Sequence, residues 1–336
     1  MKKVITKLLA LNQALTRKHQ YLLITGILIS LTGGYLELTA PKNLEVRGSH
    51  IKGNDSSAAP DKSLEKELSI GGIVYKGFSG NDLTGSGQII WPDKRLYKGE
   101  VQNGLPEGEG RMTFIDGKSY EGLFRKGKMH GTGEIIWPNG SSYRGEFSND
   151  LISGKGDFID ANGGRFIGTF LNEKPNGVGT LFGPDSSIYM GEIKDGVMDG
   201  KGTLAFSSGG LYEGLFRKGK MHGYGERTFE DGRNYKGNFA DDKMRGYGVI
   251  TMPDGSIYEG QFVDDKPEGN GIKRWPDGSS YEGKWVRGLR EGMGKMSLGN
   301  GKVYEGSFSS DKMTGKGVCR NMNAQVSCES LVETEI

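Results

Sequence analysis

The sequence predicts an all-β protein, an elongated single-layer antiparallel meander of about eleven repeated β-hairpins, preceded by one N-terminal transmembrane helix. Three observations carry that expectation. An aromatic anchor recurs at Tyr75, Tyr97, Tyr120, Tyr143, Phe166, Tyr189, Tyr212, Tyr235, Tyr258, Tyr281 and Tyr304, with a first step of 22 and every later step of 23. A fixed period in this range marks a repeat array. Glycine fills 58 of 336 positions, more than twice the usual ~7%, and within the array it recurs at set places in the period. Finally, residues 21–36 carry no charge and follow a basic N-terminus.

Residues 1–20 form a basic amphipathic segment holding Lys2, Lys3, Lys7, Arg17 and Lys18 without an acid. Val4, Leu8, Leu11 and Leu15 share one helical face. The plain reading is a lead-in lying on the inner membrane face; the alternative is a short dimer seam, and hence a homodimer. Residues 21–40 read as a transmembrane signal anchor, near the length a bilayer requires. A cleaved signal peptide ending at Ala40 is a second reading, though Pro41 and Leu38 fit the small-residue pattern poorly. A buried helix of a soluble protein is a third. The flanking charges place the N-terminus in the cytoplasm and the array outside, as a single-pass protein of the cell membrane. Residues 41–69, small, polar and charged, read as a flexible linker unable to bury a core.

The array occupies 70–317. In the unit from Tyr120, the residues Tyr120, Gly122 and Phe124 alternate onto one strand face. Arg125 to Met129 reads as a loop around Gly127, after which Gly131, Gly133, Ile135 and Trp137 alternate again. Asp116-Gly117, Asn162-Gly163, Asp231-Gly232, Asp254-Gly255, Asp277-Gly278 and Asn300-Gly301 read as hairpin turns with positive φ at both central positions. Glycines on the ring face leave room for an aromatic ring to lie over the backbone. The opposite face is mostly charged or hydroxylated. About 22 strands at ~4.8 Å give an array on the order of 100 Å, stabilised locally and needing capped ends. Residues 318–336 form the C-terminal cap and tail. There Cys319 and Cys328 are the only cysteines, a disulfide in a secreted array and two free thiols in a cytosolic one.

The unit Tyr-Glu-Gly-x-Phe-x-x-Gly-x-x-His-Gly-x-Gly resembles the MORN (membrane occupation and recognition nexus) repeat. The resemblance covers 75–317 in register, best at Tyr120–Gly133 and Tyr212–Gly225. It departs at Phe166, which replaces the tyrosine, and at Ile193, which replaces the second aromatic. The copy at Tyr75 breaks the spacing and reads as a cap. The resemblance implies an all-β rod of stacked hairpins used as a scaffold or binding module. Such repeats also accompany phosphatidylinositol phosphate kinases, junctophilins and lysine methyltransferases, but this sequence leaves no length for a catalytic domain, and a fold does not carry function.

The net charge of +2 is concentrated in the first 20 residues, which argues against phosphate-tracking nucleic-acid binding. His130 and His222 hold the same place in units 92 residues apart, too distant to share a metal. Gly-x-Gly strings lack the Gly-Lys-Ser/Thr ending of a phosphate loop. Asp241-Asp242 and Asp264-Asp265 read as solvated turn acids rather than a calcium ladder. No catalytic residues, metal site or cofactor are expected. The candidate binding groove is the ring stripe: Tyr120, Phe124, Trp137, Tyr143, Tyr212, Phe216, Tyr235, Tyr258, Trp275 and Tyr281. The candidate anion-contact loops are Arg125, Lys126 and Lys128, with Arg217, Lys218 and Lys220. The functional expectation is a non-catalytic, membrane-anchored scaffold for a partner protein in envelope organisation. The alternative is a module for anionic lipid headgroups or an envelope polysaccharide, with exposed rings as stacking surfaces.

Overall fold

The computed structural model describes residues 67–78, 82–321 and 324–328. The expected segments 1–20 and 21–40, and the linker as far as residue 66, lie outside them. No helix among the described residues is long and apolar enough to cross a membrane. The described chain is all-β, with 24 strands joined by turns and antiparallel pairing throughout. The described residues divide into two compact units, with the boundary between Lys128 and Met129.

In the first unit the strands Glu67–Ile70, Ile73–Lys76, Gly85–Ile90, Leu96–Gln102, Leu105–Thr113 and Ser119–Arg125 form a meander. Its opening strand is fully exposed and starts inside the segment read as linker. Phe78, rather than Tyr75, provides the ring over the first glycine: a Cβ on Gly87 would sit 2.3 Å from its Cζ. The second unit runs in meander order to Ala324–Val326. A typical hairpin pairs a seven-residue strand, Leu211–Arg217, with a nine-residue strand, Lys220–Thr228.

One hairpin explains the rest. Tyr212 faces Arg227 and Gly214 faces Gly225, and the register then shifts so that Phe216 meets Met221. The bulge leaves Leu215 without a partner in that ladder and bends the strand. The Tyr212 ring lies over the glycine pair: a Cβ on Gly225 would come within 2.5 Å of it, and one on Gly214 within 2.4 Å of its hydroxyl. The same hydroxyl donates to the Leu215 carbonyl at 2.9 Å, satisfying the bulge. Eight other anchors, Tyr97, Tyr120, Tyr143, Tyr189, Tyr235, Tyr258, Tyr281 and Tyr304, donate likewise to the carbonyl three residues on.

The ring stripe covers itself. Phe216 meets Tyr212 of its own repeat and Tyr189 of the preceding one edge-on, at 5.1 and 5.0 Å. The alternation continues without interruption from Tyr189 to Tyr304, through Phe239, Phe262, Trp285 and Phe308. Edge-to-face pairs of this kind contribute about 0.5–1.5 kcal/mol each beyond their burial. Ile193 stands where Phe216 stands in the next repeat; it is buried but offers no ring.

The turns depart from the sequence reading. The segment Arg125–Met129 contains a two-residue turn, Lys126-Gly127, with φ of 50° and 80°. Asp241-Asp242 (49° and 71°) and Asp264-Asp265 (47° and 70°) form the same turn without glycine. Here both central residues have positive φ, as the twist of a type I′ hairpin requires. Asn103-Gly104 (50° and 74°) and Asp195-Gly196 (50° and 85°) are tight turns of this kind too, whereas at Asp116-Gly117, Asn162-Gly163, Asp231-Gly232, Asp254-Gly255, Asp277-Gly278 and Asn300-Gly301 only the glycine has positive φ, for example Gly232 at 89°. There Gly232 N–H donates to Phe229 and Phe229 N–H to Arg233, at 3.1 and 2.8 Å, a type I turn followed by a left-handed glycine. The Asp231 carboxylate accepts from Arg233 N–H at 3.1 Å, replacing backbone pairing that the turn lacks.

Each tight turn is also bound to the preceding repeat. Asp242 N–H donates to the Met221 carbonyl at 3.2 Å, while the Asp242 carboxylate accepts from Met221 N–H at 2.8 Å. Asp265 does the same with Met244, Asp150 with Met129 and Asp311 with Arg290. Where glycine takes the aspartate's place, an acid on the earlier strand accepts from the turn's first residue. Glu107 takes Lys126 N–H at 2.7 Å, Asp199 takes Lys218 at 3.0 Å and Glu268 takes Arg287 at 2.9 Å. Asp242 and Asp265 are therefore structural acceptors, and the reading of them as merely solvated acids is corrected.

Candidate functional site

The sequence-predicted groove is consumed by packing. Tyr120, Tyr143, Tyr212, Tyr235 and Tyr281 are 0% exposed, and Phe124, Phe216 and Tyr258 are nearly so. The expectation of rings open as stacking surfaces is thus corrected: edge-on partners from adjacent repeats enclose them. Trp137 and Trp275 are half-exposed, at the start of the wide turns. Burial raises the pKa of the phenols of Tyr97, Tyr189, Tyr235 and Tyr258, and pushes those of Tyr143, Tyr212 and Tyr281 up to about 12.

Arg125, Lys126 and Lys128 in one unit, and Arg217, Lys218 and Lys220 in the other, are exposed. None makes a side-chain ion pair among the described residues. His130 and His222 stand where Glu107 and Asp199 stand in other repeats; their Nδ1 atoms are enclosed without a hydrogen-bond partner. Cys319 and Cys328 form a disulfide, with Cα atoms 5.3 Å apart, across the strand pair Lys312–Asn321 and Ala324–Val326. On the face opposite the rings, Val178, Tyr224, Tyr247 and Met293 are 56–68% exposed.

One arrangement escaped the sequence reading. The position that faces the tyrosines from the second strand is apolar in most repeats, as at Ile135, Ile250 and Met296, all buried. In two repeats it is a cation: Lys273, whose Nζ lies 4.9 Å from the Trp275 ring, and Arg227, whose strand neighbours are Tyr212 and Tyr235. Its guanidinium lies between two rings, 4.7 Å from Phe206 and 4.4 Å from Phe229. Its Nε is enclosed and has no hydrogen-bond partner, and no ion pair of Arg227 occurs among the described residues. An unpartnered buried donor costs about 1–3 kcal/mol, more when charged. Burial lowers its pKa, against the opposing pull of Asp265 and Asp242, but a guanidinium stays charged in proteins.

Arg227 lines an open pocket of about 500 Å³ with Ser208, Gly209, Thr228, Phe229, Glu230, Asp231 and Arg233. Arg233 is already paired with Asp231 at 2.7 Å and covers the other part of Phe229. Arg290 gives the contrast. It also stands beside two rings, Tyr281 and Phe308, and is the more deeply buried, but its Nε donates to Asp311 at 2.9 Å. The signal in the sequence was an arginine at a repeat position that, apart from Lys273, is held elsewhere by apolar or sulfur side chains.

Rings on glycine floors, bulges closed by phenols and turns tied one repeat back define a β-hairpin repeat protein. The family model for the MORN repeat matches ten segments between residues 97 and 322, well over half of the chain. The chain belongs to the MORN repeat family. The copy at Tyr75 is not among the matched segments, so ten of the eleven expected units are found. A search of curated protein sequences returned no match. Among solved structures, the TCP domain of Drosophila melanogaster SAS-4 (dCPAP), in complex with a proline-rich motif of Ana2, is 14% identical. The alignment covers 55% of this chain and 98% of that one, with a TM-score of 0.31. A variant TCP10 domain of Danio rerio CPAP is 12% identical over 72% and 93% of the two chains, with a TM-score of 0.23. Virginiamycin B lyase of Staphylococcus aureus is 15% identical over 74% and 81%, with a TM-score of 0.13. Likenesses this slight carry no inference about function.

Proposed function

We propose that this protein is a non-catalytic, membrane-anchored scaffold whose MORN repeats bind a partner protein in organising the cell envelope. The observation that carries the reading is where the chemically versatile side chains are used. The anchor phenols bind bulge carbonyls, and the turn carboxylates bind backbone N–H groups. These groups hold the repeats together, and the outward face keeps exposed apolar side chains, Tyr224 and Tyr247 among them, suited to protein contact. The N-terminal segment supplies the anchor, with the array extracytoplasmic. Crosslinking in the native membrane from probes at Tyr224 and Tyr247 tests the reading: one recurrent protein partner is expected, and its absence from every probe position rejects it. A tag after Ile336 protected in intact cells would reject the topology.

A second reading rests on the six exposed loop cations, which have no acidic side-chain partner and can contact anionic lipid headgroups or an anionic envelope polymer. Binding of the full chain to anionic vesicles or wall material, lost when Lys126, Lys128, Lys218 and Lys220 are neutralised, would favour it over a protein partner.

A further inference from the structure

The Arg227 pocket combines a charged fork, two aromatic rings beside it and no ion pair to that fork among the described residues. In the repeat array this cation replaces the apolar residue that the equivalent Ile250 supplies. The rings of Phe206 and Phe229, 4.7 and 4.4 Å from the guanidinium carbon, restrict it, so less side-chain freedom remains to be lost on binding. A fixed planar fork matches a carboxylate or phosphate through two parallel hydrogen bonds. The lining decides between them. Glu230 and Asp231 also border the pocket, and hydrogen bonds from Arg233 hold Asp231 in its charged form. A phosphate, bearing close to two negative charges, meets more repulsion there than a carboxylate bearing one. Ser208 and Thr228 add hydroxyls to the wall.

We propose that the pocket lined by Ser208, Arg227, Thr228 and Phe229 is a carboxylate-binding site in which Arg227 holds the anion. This goes beyond the scaffold reading, because the ligand is defined by its chemistry and not by the molecule that bears it. The carboxylate can belong to a small aryl or acyl acid or to an acidic residue of a protein chain.

The test uses the full chain with nitrogen-15-labelled arginine, following the Arg227 Nε–H resonance by NMR. The probes are hippurate, its neutral amide, inorganic phosphate, and a blocked peptide with one internal aspartate. A saturable shift with hippurate or the peptide is expected, with at least tenfold weaker responses to the amide and phosphate. The more tightly bound of the two carboxylates identifies the source, and either ranking upholds the site. Calorimetric titration should show at least tenfold loss of binding in Arg227→Ile, a variant that imitates the neighbouring repeat. Its thermal midpoint should stay equal or rise, which separates loss of the anion contact from loss of the fold. No saturable response to either carboxylate, equal affinity for the amide or phosphate, or binding retained in Arg227→Ile would overturn the proposal.

Discussion

A glycine and a tyrosine form the smallest working part of this molecule. The ring of Tyr212 occupies the space a side chain at 225 would need, and Phe216 and Phe239 fix it edge-on. It cannot swing aside cheaply. Gly225→Ala is therefore expected to destabilise its hairpin by about 1–3 kcal/mol, the usual cost of overpacking. Urea unfolding monitored by tyrosine fluorescence measures this; an unchanged midpoint would remove the ring-on-glycine account. The same burial gives an alkaline limit. A phenol whose folded pKa is raised contributes stability fully below its unfolded value of about 10 and loses it as pH rises through the folded value. With Tyr143, Tyr212 and Tyr281 pushed up to about 12, stability should fall between those limits. In a Tyr224→Phe, Tyr247→Phe background, the tyrosinate absorbance of the buried anchors should appear together with the loss of far-UV circular dichroism, not before it.

At the scale of the turn, the acids work in the opposite direction. Hydrogen bonds hold Asp185, Asp254 and Asp277 below the usual carboxylate range; the side chains or N–H groups of Ser187, Ser256 and Ser279 are the principal donors. A group with a depressed folded pKa contributes above its unfolded value, about 3.9, and ceases to as pH falls through the folded one. The thermal midpoint should therefore drop below about pH 4, and the Asp254→Asn, Asp277→Asn double variant should show a shallower decline. A parallel decline in both proteins would refute the role of these turns. The turns also show where sequence reading reached its limit. Asp277-Gly278 was legible as a turn from composition, but its hydrogen-bond type was not. Asp241-Asp242 lacked the glycine signal and still forms the tighter turn, because the strands' twist and the bond to Met221 favour it.

For each unit as a whole, the period, the strand alternation and the glycine floors were legible because they are local in sequence. Burial of the ring stripe was not. It depends on Phe239 reaching Tyr212 in the preceding repeat, a contact made only once the hairpins are paired. Arg227 was overlooked for a related reason: its surroundings, Phe206 and Phe229, come from two neighbouring wide turns. Repeat stability of this kind is a sum over nearest neighbours, which bears on the C-terminal end. The Cys319–Cys328 bond closes a short loop there, with a sequence separation of 9, for about 2.5–3 kcal/mol in the chain-entropy model. Reduction should accelerate amide exchange in Lys302–Ser309 and Lys312–Asn321 while leaving Leu211–Arg217 unchanged. Acceleration throughout would mean that the second unit unfolds as one cooperative body.

The turn contacts have a genetic consequence. Every carboxylate that binds Met221, Met244 or Arg290 N–H lies 21 residues downstream of it, and every acid that backs a glycine turn lies 19 residues upstream. Unequal recombination between such near-identical stretches as 120–131 and 212–223 gains or loses DNA in whole periods. A gene altered this way still encodes a chain in which each donor finds an acceptor at its accustomed distance. Copy number can drift over generations, whereas a one-codon insertion within a strand breaks the pairing at once.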